Sequence, residues 1–119
     1  MKKRAENPTT INRTVILVIP KKLFYEWEKA VFPDMKSIEE SASEYSSYLI
    51  ESGVFPEEPK AVLEEDWQWI FENELFGICI DEEFWPQKRS WTMFTEWFDI
   101  KFCTHVIDLL EGPVVHNDY

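Results

Sequence analysis

The stretch TVILVI, residues 14–19, constrains this chain more than any other. It is apolar and mostly β-branched, and Pro20 closes it. Length and composition favour a strand over a buried helical turn, because branched side chains suit a pleated surface. Being apolar throughout, such a strand is expected to have both faces covered. The chain must then build layers of other elements around it. With 119 residues, 45% hydrophobic, it has material for one core. Six Trp, nine Phe and four Tyr supply that core with bulk, since each large ring buries on the order of 150–250 Å².

The residues after Pro20 change period. KKLFYEWEKAVF (21–32) repeats at helical spacing, placing Leu23, Phe24, Trp27, Ala30 and Val31 on one arc and Glu26, Glu28 and Lys29 outside it. Pro33 ends that helix. SIEESASEY (37–45) is polar, and Ser37 with Glu40 has capping-box spacing, which reads as a short surface helix or an irregular crossover. SYLI (47–50) predicts a second strand, stopped at Ser52-Gly53. The connection between the two strands is long enough for a right-handed parallel crossover.

PEEPKAVLEEDWQWIFENELF (56–76) begins with proline and glutamates, as helix N-termini prefer. Its main apolar arc is Leu63, Trp67, Ile70, Phe71 and Leu75, with Val62, Trp69 and Phe76 nearly opposite, so this helix is expected to be gripped from two sides. Residues 77–86 connect, with a short extended piece at Ile78–Ile80. QKRSWTMFTEWF (87–98) predicts a third helix burying Trp91, Met93, Phe94, Trp97 and Phe98. IKFCTHVIDLL (100–110) predicts a third strand, ended by Gly112-Pro113. The fold class is therefore α+β in the order β-α-β-α-α-β, a small three-stranded sheet packed with helices. Residues 1–12 are expected to be a flexible basic leader, 13–115 a single globular domain and 116–119 a tail.

Charge restricts the partners. The formal net charge is −11, unevenly placed: residues 1–36 hold eight Lys/Arg and four Asp/Glu, the remainder four and nineteen. A surface of that sign repels phosphate backbones, so direct nucleic-acid binding is not expected. No stretch approaches the roughly 20 apolar residues that cross a bilayer, and the polar residues after the basic start do not make a secretory signal. Two cysteines, Cys79 and Cys103, in a chain rich in core residues read as thiols of a reducing cytoplasm.

Few residues invite chemistry. Cys103 and His105 are alternate residues of the third predicted strand, and as nucleophile and base they would need an exposed, electropositive setting. Their surroundings are acidic, Asp108 included, so a packed cysteine beside a capping histidine is the simpler reading. Cys79, Cys103, His105 and His116 lack zinc-site spacing, and neither metal nor cofactor is expected. Glu74 differs from the other carboxylates because it falls inside the apolar arc of its helix, between Leu63 and Trp67 in angle. A desolvated carboxyl needs a cation or donors. Arg89 is the nearest candidate for a buried pair, with indole N–H groups from Trp85 or Trp91 beside it. The expected role of that pair is to fix how two helices dock, with a functional pocket as the alternative.

Four segments together resemble a family of small bacterial one-domain proteins without an assigned function: Ile70-Phe71-Glu72-Asn73-Glu74-Leu75, Trp85-Pro86 with Arg89, Phe94 with Trp97-Phe98-Asp99, and Val106-Ile107-Asp108-Leu109. The resemblance spans roughly residues 14–115 and implies a stand-alone cytoplasmic α+β domain, with no activity attached. The family pattern has His-Ser near the place of Cys103-Thr104, a departure at the very cysteine a catalytic reading would need. Composition and spacing favour a non-catalytic acidic binding domain, with a protein partner or a homodimer. The alternatives are an acidic mimic of nucleic acid that inhibits a basic protein, and a small enzyme using Glu74, Asp99 or Asp108 with His105.

Overall fold

The computed structural model describes residues 3–34 and 45–119; the expectation for residues 37–44 lies outside them. The apolar run becomes β2 (Arg13–Pro20), the middle strand of a sheet ordered β3-β2-β4, with β3 at Ser46–Glu51 and β4 at Phe98–Cys103. Between them lie α1 (Lys22–Val31), α2 (Pro59–Val62), α3 (Trp67–Phe76) and α4 (Trp91–Trp97), with a 3-10 turn at Glu82–Phe84. The fold is α+β, as its alternating periods predict.

Both neighbours of β2 run antiparallel to it, including β3, for which a parallel crossover was open. A parallel sheet must be covered on both faces, whereas an antiparallel one needs cover on one. Helices this short suffice for one. Thr14, Ile16 and Val18 are accordingly fully buried under them, while Val15, Leu17 and Ile19 are only half-buried, which corrects the expectation of two covered faces. Against Ile16 and Val18 pack Phe24, Leu63, Ile70, Phe71, Leu75, Trp85, Phe94 and Phe98. Rings dominate: Phe71 meets Phe94, Trp97 and Phe98 at centroid distances of 5.7, 5.6 and 5.5 Å.

Three helices differ from their periodic reading. On α1, Phe24 and Glu28 are buried while Leu23 and Ala30 are exposed, so the inward face is rotated toward Tyr25 and Glu28. The expected helix over 56–76 is two helices, with turns over 63–66 between them. Glu64, Glu65 and Asp66 stand there; aspartate is a poor helix-interior residue because its side chain competes for the backbone. The break leaves Leu63 wholly buried, and the Asp66 N–H still bonds the Leu63 carbonyl at 3.0 Å. Grip from two sides is not observed, since Trp69 and Phe76 are 58% and 54% exposed. α4 starts later than expected, at Trp91, where the Ser90 hydroxyl accepts from the Met93 N–H at 3.1 Å. Ile78–Ile80 forms a turn and bend in place of an extended piece.

The ends of the chain pair with each other. β1 (Arg4–Thr10) takes the place of an unstructured leader and runs antiparallel to β5 (Ile107–Leu110). The single strand expected over 100–110 is thus β4 and β5, separated by residues 104–106. A ladder needs backbone partners rather than apolar side chains, and Thr9 and Thr10 are good strand formers. Register slips between Arg4 and Thr9, where Pro8 has no N–H to offer. The Ile11 N–H bonds the Val106 carbonyl at 2.9 Å, linking the ribbon to the main sheet, and Lys3 meets Glu111 at 3.1 Å. The Cα radius of gyration is 16.7 Å, against about 13.5 Å for a compact chain of this length.

Candidate functional site

Glu74 lies in the last turn of α3 and Tyr48 in the middle of β3. Because the helix crosses the sheet there, residues 26 apart in sequence meet: the Tyr48 hydroxyl donates to Glu74 Oε2. Asn73 Nδ2 donates to the Tyr48 oxygen at 2.9 Å, and the Tyr119 hydroxyl donates to Asn73 Oδ1 at 2.9 Å. A chain of hydrogen bonds therefore runs from the tail to a half-buried carboxyl. Burial pushes the Glu74 acid constant up, against the pull of the Tyr48 and Ser46 hydroxyls. Burial likewise pushes the Tyr48 phenol well above its ordinary range, and the hydrogen bond to Glu74 adds to this. Among the described residues no cation forms an ion pair with Glu74.

This group opens onto a hollow of about 420 Å³ between α1, the start of β3 and the end of α3, which Phe24, Tyr25, Tyr45, Ser46, Asn73, Glu74 and Tyr119 help to line. Small-molecule sites typically fall between about 300 and 1,000 Å³. Among the described residues, none that lines it is basic.

The pairing expected for Arg89 is corrected. Arg89 Nη2 bonds Glu72 Oε1 at 2.9 Å, not Glu74. Two residues apart on a helix means about 200° of rotation, so Glu72 and Glu74 face opposite sides. The guanidinium also donates to the Pro86 carbonyl at 2.8 Å and stands 5.8 Å from the Trp85 ring centre. Its Nε is buried and has no partner among the described residues. The Trp85 indole N–H goes to the Cys79 carbonyl at 2.8 Å, and Trp91 packs edge-on to Trp67 at 6.4 Å. These contacts dock the 85–91 segment onto α3. Arg89→Lys, which keeps the charge and loses the planar fork, is expected to lower stability by about 1 kcal/mol in urea titration. Cost-free replacement would mean that the fork holds nothing.

No family model matches this chain, and no curated protein or solved structure matches it. What it does must be read from its own surfaces.

The thiol and imidazole of the third predicted strand sit apart from the hollow. Cys103 ends β4, half-buried and opposite Val15; His105 is exposed in the break at 104–106, which interrupts the alternation that placed both on one face. Asp108 Oδ1 accepts from the Leu110 N–H at 2.9 Å, a local turn contact on β5. Cys79 is buried, its Sγ 3.6 Å from the Asp81 carbonyl. Among the described residues no three His, Cys, Asp or Glu are grouped to hold a metal ion, and no helix is long and apolar enough to cross a membrane.

A second surface adjoins the first through Tyr48. Along β3, the 54–66 segment and the start of α3 run two hollows of about 410 and 530 Å³. Trp69, which lines the first, is 58% exposed, and Phe55, which lines an adjoining hollow, is 65% exposed. Around them are Glu51, Glu57, Glu58, Glu64, Glu65 and Asp66, with Lys60 the sole basic residue lining either of the first two hollows among the described residues. The Trp69 ring stands perpendicular to that of Tyr48 at 6.4 Å, held upright on the surface.

Proposed function

We propose that this chain is a non-catalytic binding domain of the cytoplasm, and that its acidic face over residues 49–69 engages a basic protein partner. The observation that carries this reading is Trp69: a large ring, more than half exposed and braced by Tyr48, among carboxylates. Aromatic anchors surrounded by charge give interfaces both affinity and selection by sign. A pure mimic of nucleic acid would need the charge alone, and Phe55 and Trp69 add apolar contacts suited to side chains. Two free thiols, Cys79 and Cys103, accord with a reducing compartment.

An amphipathic lysine–leucine peptide and its glutamate–leucine counterpart test the idea, with tryptophan fluorescence as the readout. The basic peptide is expected to bind and the acidic one not, with affinity falling steeply as salt rises. Trp69→Ala is expected to weaken binding about tenfold, the loss of one anchor residue. Equal binding of both peptides, or indifference to Trp69→Ala, would remove the proposal.

A further inference from the structure

We propose that the hollow at Glu74 is a binding site for an organic ammonium group, a tetraalkylammonium or methylated amine. It adjoins the acidic face through Tyr48 but does not depend on that face having a partner.

Three features of the hollow point to this ligand class. First, aromatic residues line it: half-buried Tyr25, edge-to-face with Phe24 at 6.1 Å and 81°, and Tyr45, 44% exposed at the rim, with the fully exposed Tyr119 beside them. Such faces attract cations through their quadrupoles, most strongly where water is partly excluded. Second, its polar lining offers acceptors and no cation among the described residues. Glu74 offers carboxyl oxygen, and Asn73 and Ser46 are neutral. An anion would meet no counter-charge among the described lining residues, and it would meet the field of a chain with net charge −11. Third, Glu74 is held in place by the Tyr48 hydroxyl while no ion pair neutralises it among the described residues. A desolvated carboxylate is costly until a cation reaches it. A neutral polyol would satisfy hydrogen bonds and leave that cost standing; an ammonium group removes it. The Tyr48 hydroxyl, itself held by Asn73, orients the carboxyl before any ligand arrives.

The probes are choline and its uncharged carbon isostere, 3,3-dimethylbutan-1-ol, titrated into the intact chain and followed through the amide resonances of Asn73 and Gly77. Choline is expected to shift these resonances with a dissociation constant of about 1 mM or tighter, and the isostere to leave them unmoved. Glu74→Gln is expected to weaken choline about tenfold while the protein stays folded. Tyr45→Leu, which keeps bulk and removes the ring, should weaken it by about threefold to tenfold, with Tyr45→Phe restoring it. Affinity should fall as pH drops through the titration of Glu74, since the proton competes with the cation. Equal binding of choline and isostere would make this an apolar hollow only. Undiminished binding to Glu74→Gln, or no shift at about 50 mM choline, would overturn the proposal while leaving the acidic-face reading untouched.

Discussion

Phe71→Ala is expected to cost the fold about 3–5 kcal/mol, the range for removing a buried ring, read as a large drop in the urea midpoint. Phe71 is 0% exposed and reaches from α3 into the junction where α4 becomes β4. There it touches Phe94, Trp97 and Phe98, each within 6 Å between ring centres. Those neighbours are themselves large and interlocked, since Phe94 also meets Trp67 and Trp91. They cannot collapse into the vacated space without breaking other ring contacts, so a cavity term adds to the transfer term. Domains of this length have about 6–18 kcal/mol of stability in total, and one such loss is a substantial part of it. Phe76→Ala, on the same helix but 54% exposed, is expected to change stability by less than about 0.5 kcal/mol. Equal effects at the two positions would mean that α3 does not dock through the Phe71 side.

That contrast also shows where sequence reading succeeds. Leu63, Ile70, Phe71 and Leu75 share an arc at helical spacing, and all four are buried. The arc survived even though the helix broke at Glu64–Asp66, because the buried side chains hold the turns between α2 and α3 in line. Period reports which residues face the core; it does not report whether the backbone between them keeps helical hydrogen bonds. The opposite stripe of Trp69 and Phe76 illustrates the complementary error. Aromatic residues at helical spacing are as compatible with an exposed anchor as with a second core contact, and only the absence of a covering layer decides. β1 went unread for a different reason: its pairing with β5 joins residues about a hundred positions apart, and its polar side chains give no alternation to detect.

The candidate site was half legible. Glu74 stood out because a carboxyl inside an apolar arc must be satisfied by something. Its partner was not readable, since Arg89 satisfies the charge requirement equally well on paper. Geometry chose otherwise. The rotation of α3 that buries Phe71 and Leu75 turns Glu74 toward β3 and Glu72 toward Arg89, and β3 presents Tyr48 there. Neither Asn73 nor Tyr119 carried any signal in isolation, because their roles exist only through the hydroxyl they share a network with.

Glu74 should leave its mark on stability as a function of pH. Its acid constant is raised from the ordinary 4.5, chiefly by burial, so between 4.5 and the raised value the folded chain binds more protons than the unfolded one. Stability must then fall as pH rises through that window, and the loss is complete above it. Glu74→Gln removes the ionisation and keeps an acceptor for the Tyr48 hydroxyl. The stability difference between Glu74→Gln and the parent is therefore expected to grow in favour of the variant as pH rises from 4.5 through the raised value. Tyr48→Phe acts in the opposite sense. It takes away a donor that steadies the carboxylate, at an expected cost of about 1–3 kcal/mol at neutral pH for a buried group left short of a partner. That cost should shrink at acid pH, where a protonated Glu74 has less need of the donor. In the double variant the pH-dependent part should vanish, leaving only the packing change. Urea titrations of the four proteins across this pH range measure all of it, and parallel curves for the parent and Glu74→Gln would show that the carboxyl titrates as it does in water.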